Sequence, residues 1–559
     1  MRPFYGRMSF KLFGQTSFFC QNSFMAIDDL VNLAKGFLDG WNNGKLKRTL
    51  KRTAQEALDA RIKNLELEEK LRQKEDELRR LKGEKPKPQI KPTTSKDLNP
   101  PEKKKHQKKS KTEDLEIDES IEVDVDKDDL PKDAKFIGKR KVVVQEMEIR
   151  RRNIEFWINR YCSDELGKVI EGEIPEEFKG SQFGPTLRSF ILYQYYKNRV
   201  PHEKIRKNLL DWGIEISAGT INDILNNLPE DFAADLASAR SAALKKCSQI
   251  HVDDTGAKFS GKNYYTFVVS NRFYTAYSTG PEKNRWSAAG AITGGDQRFV
   301  INNPAVTFIA QKLKKPQLTN YFSKMKSERV YTRDEVEKLL EDTPLELDKR
   351  QKDFVRTGFA LGALRSRQLG PPINFIVSDD APNFVDLVRN HQLCWVHEIR
   401  KYKLCEVFKR IESETLEKLV TEWRAFYGLL LEFKEKRTRE LRVKVREEFR
   451  RICSIRTLVK PLDDQLNRTW ENREGLLLCL KYPQLPLHNN QAERDIRERV
   501  IKRKISLQNR SLKGMQSWDL MLSLASTCRK LNLSFWKYLE DRILQKEAIP
   551  YLGKVVASF

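Results

Sequence analysis

Paired cysteines are missing from this chain. Its 8 cysteines, Cys20, Cys162, Cys247, Cys394, Cys405, Cys453, Cys479 and Cys528, stand apart, and no Cys-x-x-Cys occurs. That pattern excludes a disulfide framework and a zinc site of ordinary spacing, and it suits a reducing interior. Long apolar runs are missing too. None reaches the roughly 18 residues a membrane-spanning helix needs, so no membrane partner is expected. Acidic charge is in short supply: 79 Asp and Glu face 104 Lys and Arg, leaving a net charge of +25 and a pI near 9.5. An excess of that size makes a polyanion the leading partner. Hydrophobic residues at 39% suffice for real cores, while 33% charged residues and a mean hydropathy of −0.65 predict long exposed segments. At 559 residues several domains are expected. Residues 1–25 are basic and then mildly apolar, but Gln15, Gln21 and Asn22 interrupt them. They make a poor signal peptide and read as a leader, with Met25 as an alternative start.

Chemistry concentrates in three stretches. Ser248-Gln249-Ile250-His251-Val252-Asp253-Asp254-Thr255-Gly256 is an apolar strand ending in two carboxylates. Ile373-Asn374-Phe375-Ile376-Val377-Ser378-Asp379-Asp380 repeats that design, and Glu493 sits in Asn489-Asn490-Gln491-Ala492-Glu493-Arg494. A lone acid after a strand is usually a turn residue or a helix cap. Two strand–Asp-Asp segments plus a third acid in an Arg-rich helix, in a basic protein, suggest a carboxylate cluster for hard divalent cations, of the kind that supports phosphodiester chemistry with paired metals. Either Asp253 or Asp254 could be the first ligand.

Along the chain, residues 26–84 read as helix. From Leu50 to Leu81 apolar or small positions recur every three or four residues, with Asn64 in the seam. This fits a short coiled coil or an amphipathic helix packed on its own chain. Residues 85–135 read as a charged linker. Pro86, Pro88, Pro92, Pro100 and Pro101 interrupt regular structure, and the basic run at 103–109 precedes an acidic one at 113–129. Residues 136–180 read as a small β-containing module, with strand-like or basic character at Lys139–Val144 and Ile149–Arg152. In the helical region 181–245, His202–Trp212 reads as a helix stopped by Gly213, and Ser217 as the N-cap of a second helix over Ala218–Asn226. The pair is either a helix-turn-helix or an ordinary helical hairpin. Strands are predicted at Gln249–Asp253, Tyr264–Val269 and Phe273–Ser278, with a turn over Ser260–Asn263, and again at 373–379. Residues 303–369 read as a polar, helix-prone insertion and 383–480 as mostly helical. Asn489 or Asn490 is expected to cap the helix holding Glu493.

At these residues the chain resembles the IS66-type insertion-sequence transposases. The similarity rests on His251-Val252-Asp253-Asp254-Thr255, Ser378-Asp379-Asp380, Leu393-Cys394-Trp395-Val396-His397, Asn489-Asn490-Gln491-Ala492-Glu493-Arg494 and the end of the chain from Ser511 and Gly514 onward. It implies an α/β fold with an RNase H-like mixed sheet over 246–302 and 370–545, with a helical insertion at about 400–480. A helical DNA-binding region and a coiled-coil-like helix would precede it. It also implies a DDE mechanism with Asp253, Asp379 and Glu493 as catalytic residues and ligands of two Mg²⁺ ions, Mn²⁺ substituting and zinc not needed. The implied partners are double-stranded DNA at element ends and target, a second copy or more of the chain, and accessory proteins of the element. The implied compartment is the bacterial cytoplasm, at the nucleoid. Arg494, Arg497, Lys502, Arg503, Lys504 and Arg510 are the expected DNA contacts, while Cys394 and His397 are expected to be structural neighbours of the site. Three departures stand out. Asp254 replaces the family's usual Glu, only Cys162 lies where a cysteine-rich module is common, and 303–369 has no evident counterpart. An inactive DNA-binding derivative, or a nuclease that cuts without joining, are the alternatives.

Overall fold

The computed structural model describes Leu67 and residues 116–124, 135–163, 165, 167–295, 297–407, 410–457 and 459–559. The segment read as a leader, the segment read as a coiled coil or amphipathic helix apart from a helical Leu67, and the basic run at 103–109 lie outside the described residues. Two compact units emerge, one over Pro100–Leu225 and one made of Met1–Asn99 with Asn226–Phe559.

In the unit over Pro100–Leu225, a two-stranded antiparallel ribbon joins β1 (Arg160–Ser163) to β2 (Lys168–Glu171). The strands expected at Lys139–Val144 and Ile149–Arg152 are absent; those residues have no regular structure. Val142 and Val144 are exposed, so their β-branched side chains find no apolar face or neighbouring strand to pair with, and propensity alone does not make a strand. The helices follow as α1 (Pro185–Leu192), running into a π-helical turn over Tyr193–Lys197, then α2 (His202–Asp211) and α3 (Ala218–Asn226). The sequence signals act as expected here. Gly213 takes φ +74° after α2, and the Ser217 hydroxyl accepts the Thr220 N–H at 3.0 Å before α3. Both helices bury i, i+4 pairs, Ile205 with Leu209 and Ile221 with Leu225.

The second unit begins with α4 (Asp231–Lys246), then β3 (Gln249–Phe259), β4 (Lys262–Ser270), β5 (Thr275–Gly280) and α5 (Arg285–Thr293). Ser260 and Gly261 join β3 to β4 with φ of 44° and 80°, the two positive values a tight hairpin of matching twist requires. The stretch 303–369 is largely helical. It continues from β6 (Phe299–Val300) through α6 (Asn303–Leu313), α7 (Pro316–Lys324), β7 (Val330–Tyr331) and α8 (Arg333–Glu341) to α9 (Lys349–Arg365). It is built into the core. A methyl group on Gly358 would lie 2.7 Å from Ile309 Cγ1, and one on Gly362 2.1 Å from the Val300 carbonyl, so α9 lies directly on α6 and β6.

Then come β8 (Phe375–Ser378), β9 (Asn390–Leu393) and a run of helices: α10 (Trp395–Leu404), α11 (Arg410–Lys436), α12 (Arg439–Cys453), α13 (Lys460–Glu471) and α14 (Arg473–Leu476). Their core is aromatic: the Trp395 ring lies 5.7 Å from Trp423, 5.1 Å from Phe426 and 6.1 Å from Phe449. The chain closes with α15 (Asn490–Ser506), α16 (Leu512–Lys530), α17 (Phe535–Ile543) and α18 (Leu552–Ser558). Five strands form one mixed sheet in the order β5-β4-β3-β8-β9. The first three run antiparallel, while β8 and β9 lie parallel to β3. The outer edge of β5 is covered by α16. Thr527 Oγ1, Ser523 Oγ and Asp519 Oδ2 accept the N–H groups of Thr275, Tyr277 and Thr279 at 3.2, 2.9 and 2.7 Å. Four helical residues advance about 6.0 Å and two strand residues about 6.8 Å, so the two spacings nearly match over this length.

Candidate active site

Strand register brings the first two acids together. Gln249, Ile250 and His251 of β3 pair with Phe375, Ile376 and Val377 of β8. Carried two residues further, the same register sets Asp253 beside Asp379, on strands about 4.8 Å apart. Burial pushes the Asp253 carboxyl up to about 8, with the charges of Asp379, Asp254 and Glu493 adding to it and the Asp254 N–H opposing. Asp379 is also raised, first by burial, against the stabilising Ala381 N–H at 3.1 Å. Among the described residues neither acid has an ion-pair partner.

The second acid of each pair is held differently. Asp254 receives Lys283 Nζ at 2.8 Å and Asn383 Nδ2 at 3.2 Å. Asp380 receives Lys401 Nζ and, at 3.3 Å, Asn472 Nδ2. Lys401 also reaches the buried Glu398 at 2.9 Å, itself held by Gln465 at 3.0 Å and Thr469 at 2.5 Å. Each Asp-Asp segment thus offers one unpaired carboxylate and one neutralised by a lysine. For a cation this favours Asp253 over Asp254.

Glu493 lies in the first turn of α15, close enough to raise the Asp253 carboxyl, and its Oε1 is 3.4 Å from His397 Nδ1. Burial pushes the His397 imidazole pKa down against the opposing pull of Glu493. Two sets of contacts place α15. At its start, Asn489 Nδ2 donates to the Val252 carbonyl at 2.7 Å, its Oδ1 meets His251 Nδ1 at 3.0 Å, and its N–H reaches Cys394 Sγ at 3.2 Å. Asn489 occupies the N-cap position as expected, but its side chain makes no cap bond. Underneath, Asp495 accepts Lys530 at 2.7 Å, Arg529 at 2.9 Å and Thr275 Oγ1 at 2.9 Å, while Arg499 reaches Thr266 Oγ1 at 3.1 Å and Thr279 Oγ1 at 3.2 Å.

Two donor sets share Glu493. Asp253, Asp379 and Glu493 offer only carboxylate oxygens, which suits a hard divalent ion. Cys394, His397 and Glu493 have donor atoms within 4.8 Å of one another. In that second set the thiol is buried and already accepts the Asn489 N–H, and burial pushes it up to about 12. The carboxylate set therefore fits a metal better.

The expected DNA contacts divide. Arg494, Arg497, Lys504 and Arg510 are exposed. Arg503 is half-buried and donates to the Gly256 carbonyl. Lys502 departs from the expectation. It is buried, with Nζ 2.7 Å from Ser506 Oγ and 4.2 Å over the Trp518 ring, and burial pushes its ammonium down to about 7. It faces the α16 side of its helix because three- and four-residue steps from Asp495 and Arg499 put it on the inner face. Lys283, Asn383 and Lys401 were not singled out from sequence and become visible only through the fold, whereas Asn489 was expected only as a helix cap.

The chain matches the model of a family described as Transposase IS66 family over residues 180–294 and 376–517. The gap between those stretches contains the whole of the 303–369 segment. An uncharacterized protein, y4jO, of Sinorhizobium fredii (strain NBRC 101917 / NGR234) is 35% identical over 323 residues, covering 57% of this chain and 98% of its own length.

Proposed function

The chain belongs to the IS66 transposase family, and from that premise we propose that it cuts DNA at the ends of an insertion sequence and joins them to a target, with Asp253, Asp379 and Glu493 as the metal-holding catalytic acids. The observation that supports this reading is the crowding of Asp253 by the charges of Asp379, Asp254 and Glu493, with no ion-pair partner on Asp253 or Asp379 among the described residues. Charge buried without compensation is costly, and a divalent cation is the natural compensation. The sheet order β5-β4-β3-β8-β9 supports an RNase H-like core for the same reaction.

A pair of Mg²⁺ ions, or Mn²⁺ in their place, would supply nucleophile activation and stabilisation of the leaving oxygen. The chain's own residues do the rest. β3 and β8 hold Asp253 and Asp379 at a fixed spacing, and Asn489 ties the start of α15 to β3 so that Glu493 closes the cluster. Lys283 and Lys401 neutralise Asp254 and Asp380, which would otherwise add repulsion to incoming phosphates. Arg494, Arg497, Lys504 and Arg510 lie on or just beyond the helix bearing Glu493, where they can hold DNA phosphates without reading sequence. The α2–α3 pair is a candidate for element-end recognition, and joining two ends calls for at least two copies of the chain.

The test uses purified protein, a DNA fragment with the element ends, a target plasmid and Mg²⁺ or Mn²⁺. Wild type should give metal-dependent cleavage and joined products, and Glu493→Gln should give neither. Equal products from both would remove Glu493 from the chemistry, and cleavage without joining would make the protein a nuclease.

A further inference from the structure

Helix α12 carries a surface that the active-site reading does not use. Arg439, Arg442, Arg446 and Arg450 follow one another at steps of three, four and four, so they form one ridge along about 17 Å of helix. All four are exposed. Among the described residues none of them has a carboxylate partner. Their neighbour Arg451 is a contrast: it is gripped by Glu422 and, at 2.7 Å, by Glu448. Arg442 touches only an aromatic face, 5.9 Å above the Phe433 ring.

This arrangement works against the helix that bears it. Arginines at i, i+4 repel each other, as Arg442 does Arg446 and Arg446 does Arg450. Arg439 is the first helical residue, after the Thr438 N-cap, where the helix dipole disfavours a cation. The adjoining face supplies the anchoring: Val445, Phe449 and Ile452 are buried, and the Phe449 ring lies 6.1 Å from Trp395. Trp395 is two positions before His397, so the ridge is held by rigid packing to the helix that borders Glu493. We propose that this ridge is a docking surface for the phosphate backbone of double-stranded DNA, engaged while the acids act on the same molecule. The proposal rests on the transposase reading. Guanidinium groups in a row match phosphates in geometry and charge, and the chain's net charge of +25 makes a polyanion the matching partner. On this reading the four guanidiniums, spread along the helix, follow a run of phosphates, and such contacts carry no sequence information.

The test compares wild type with Arg442→Gln/Arg446→Gln/Arg450→Gln on two duplexes, one carrying an element end and one of arbitrary sequence, across a salt series. The slope of log affinity against log salt should become shallower by about 2.7 in the triple variant, from roughly 0.9 per lost phosphate contact. Affinity should fall by the same factor for both duplexes. The Lys counterpart at the same positions should keep most of the slope, which separates lost charge from lost fold. An unchanged slope and affinity would overturn the proposal, and so would a loss confined to the element-end duplex. Mg²⁺-dependent cleavage by wild type, scored in parallel, tests the transposase reading by itself. If wild type binds DNA but does not cut, that reading fails while the slope comparison still decides the role of the ridge.

Discussion

Two sets of carboxylates, one buried and one half-buried, lie within a few residues of each other on α15 and the strands it covers, and they are treated in opposite ways. On the underside, Asp495 is surrounded by Lys530, Arg529 and Thr275, and its charge is matched inside the protein. At the sheet's open end, Asp253 and Asp379 have no such match, and removal from solvent, with neighbouring carboxylate charges adding to it, pushes their carboxyls toward protonation. The first arrangement fixes a helix. The second leaves a charge deficit that a bound cation would fill. Glu493 and Asp495 are two residues apart, yet the turn of the helix assigns one to each set.

The widest separation should come from Asp253→Asn. Metal-dependent strand cleavage is expected to drop on the order of 10³-fold, given the several kcal/mol that metal charge supplies to such a transition state. Thermal unfolding of the metal-free protein should be unchanged or moved upward, since an uncompensated, half-buried acid is removed. A clear fall in Tm would place Asp253 among the structural carboxylates. The converse is Asp495→Asn, which strands Lys530 and Arg529 without their acid. It should cost about 3–5 kcal/mol of stability, measured by denaturant titration. If stability were untouched and cleavage lost, the division between the two sets would collapse.

A pH series sharpens the same contrast. With Asp253 raised to about 8 in the folded chain and near 3.9 when unfolded, the folded state holds the extra proton between those values. Stability of the metal-free protein should therefore fall as pH rises through that window. A metal must displace that proton. The Tm increase produced by Mg²⁺ should accordingly grow with pH up to about 8, and Asp253→Asn should flatten both trends. A Mg²⁺ shift independent of pH would show that Asp253 is not where the ion sits. The smallest effects concern the cations on α15. Arg497→Ala or Lys504→Ala should each reduce the salt slope of DNA affinity by about 0.9. Lys502→Met should leave that slope alone, because its ammonium lies under Trp518.

Much of the strand framework was legible. The alternation around Ile250 and Val252, the Ser260-Gly261 turn and the apolar Phe375–Ser378 run announced β3, β4 and β8, although β3 runs on to Phe259. The helix stop at Gly213 and the cap at Ser217 were equally plain, because both act through local backbone chemistry. What escaped depends on contacts distant in sequence. β9, with the sequence Asn-His-Gln-Leu, has no strand signature and exists because β8 offers it a parallel edge. Lys283 and Lys401 look like any surface lysines until the fold sets them against Asp254 and Asp380. Lys502 was misread because a run of three basic residues conceals which way each faces. The choice between Asp253 and Asp254, open in the sequence, is favoured one way only by their neighbours.

The contact of α16 with the rim of β5 has a consequence for how this chain can vary. Asp519, Ser523 and Thr527 serve Thr279, Tyr277 and Thr275 as teeth serve a rack. Adding or deleting one residue in α16 would turn every later tooth by about 100°, and all the bonds beyond the change would be lost together. Length changes should therefore be purged from Leu512–Lys530 while substitutions that keep a small hydroxyl or acid at those positions survive. Surface loops such as the turn between α11 and α12 should show the reverse. A library of single-codon insertions, sorted for folded protein, would display that as a silent gap over α16.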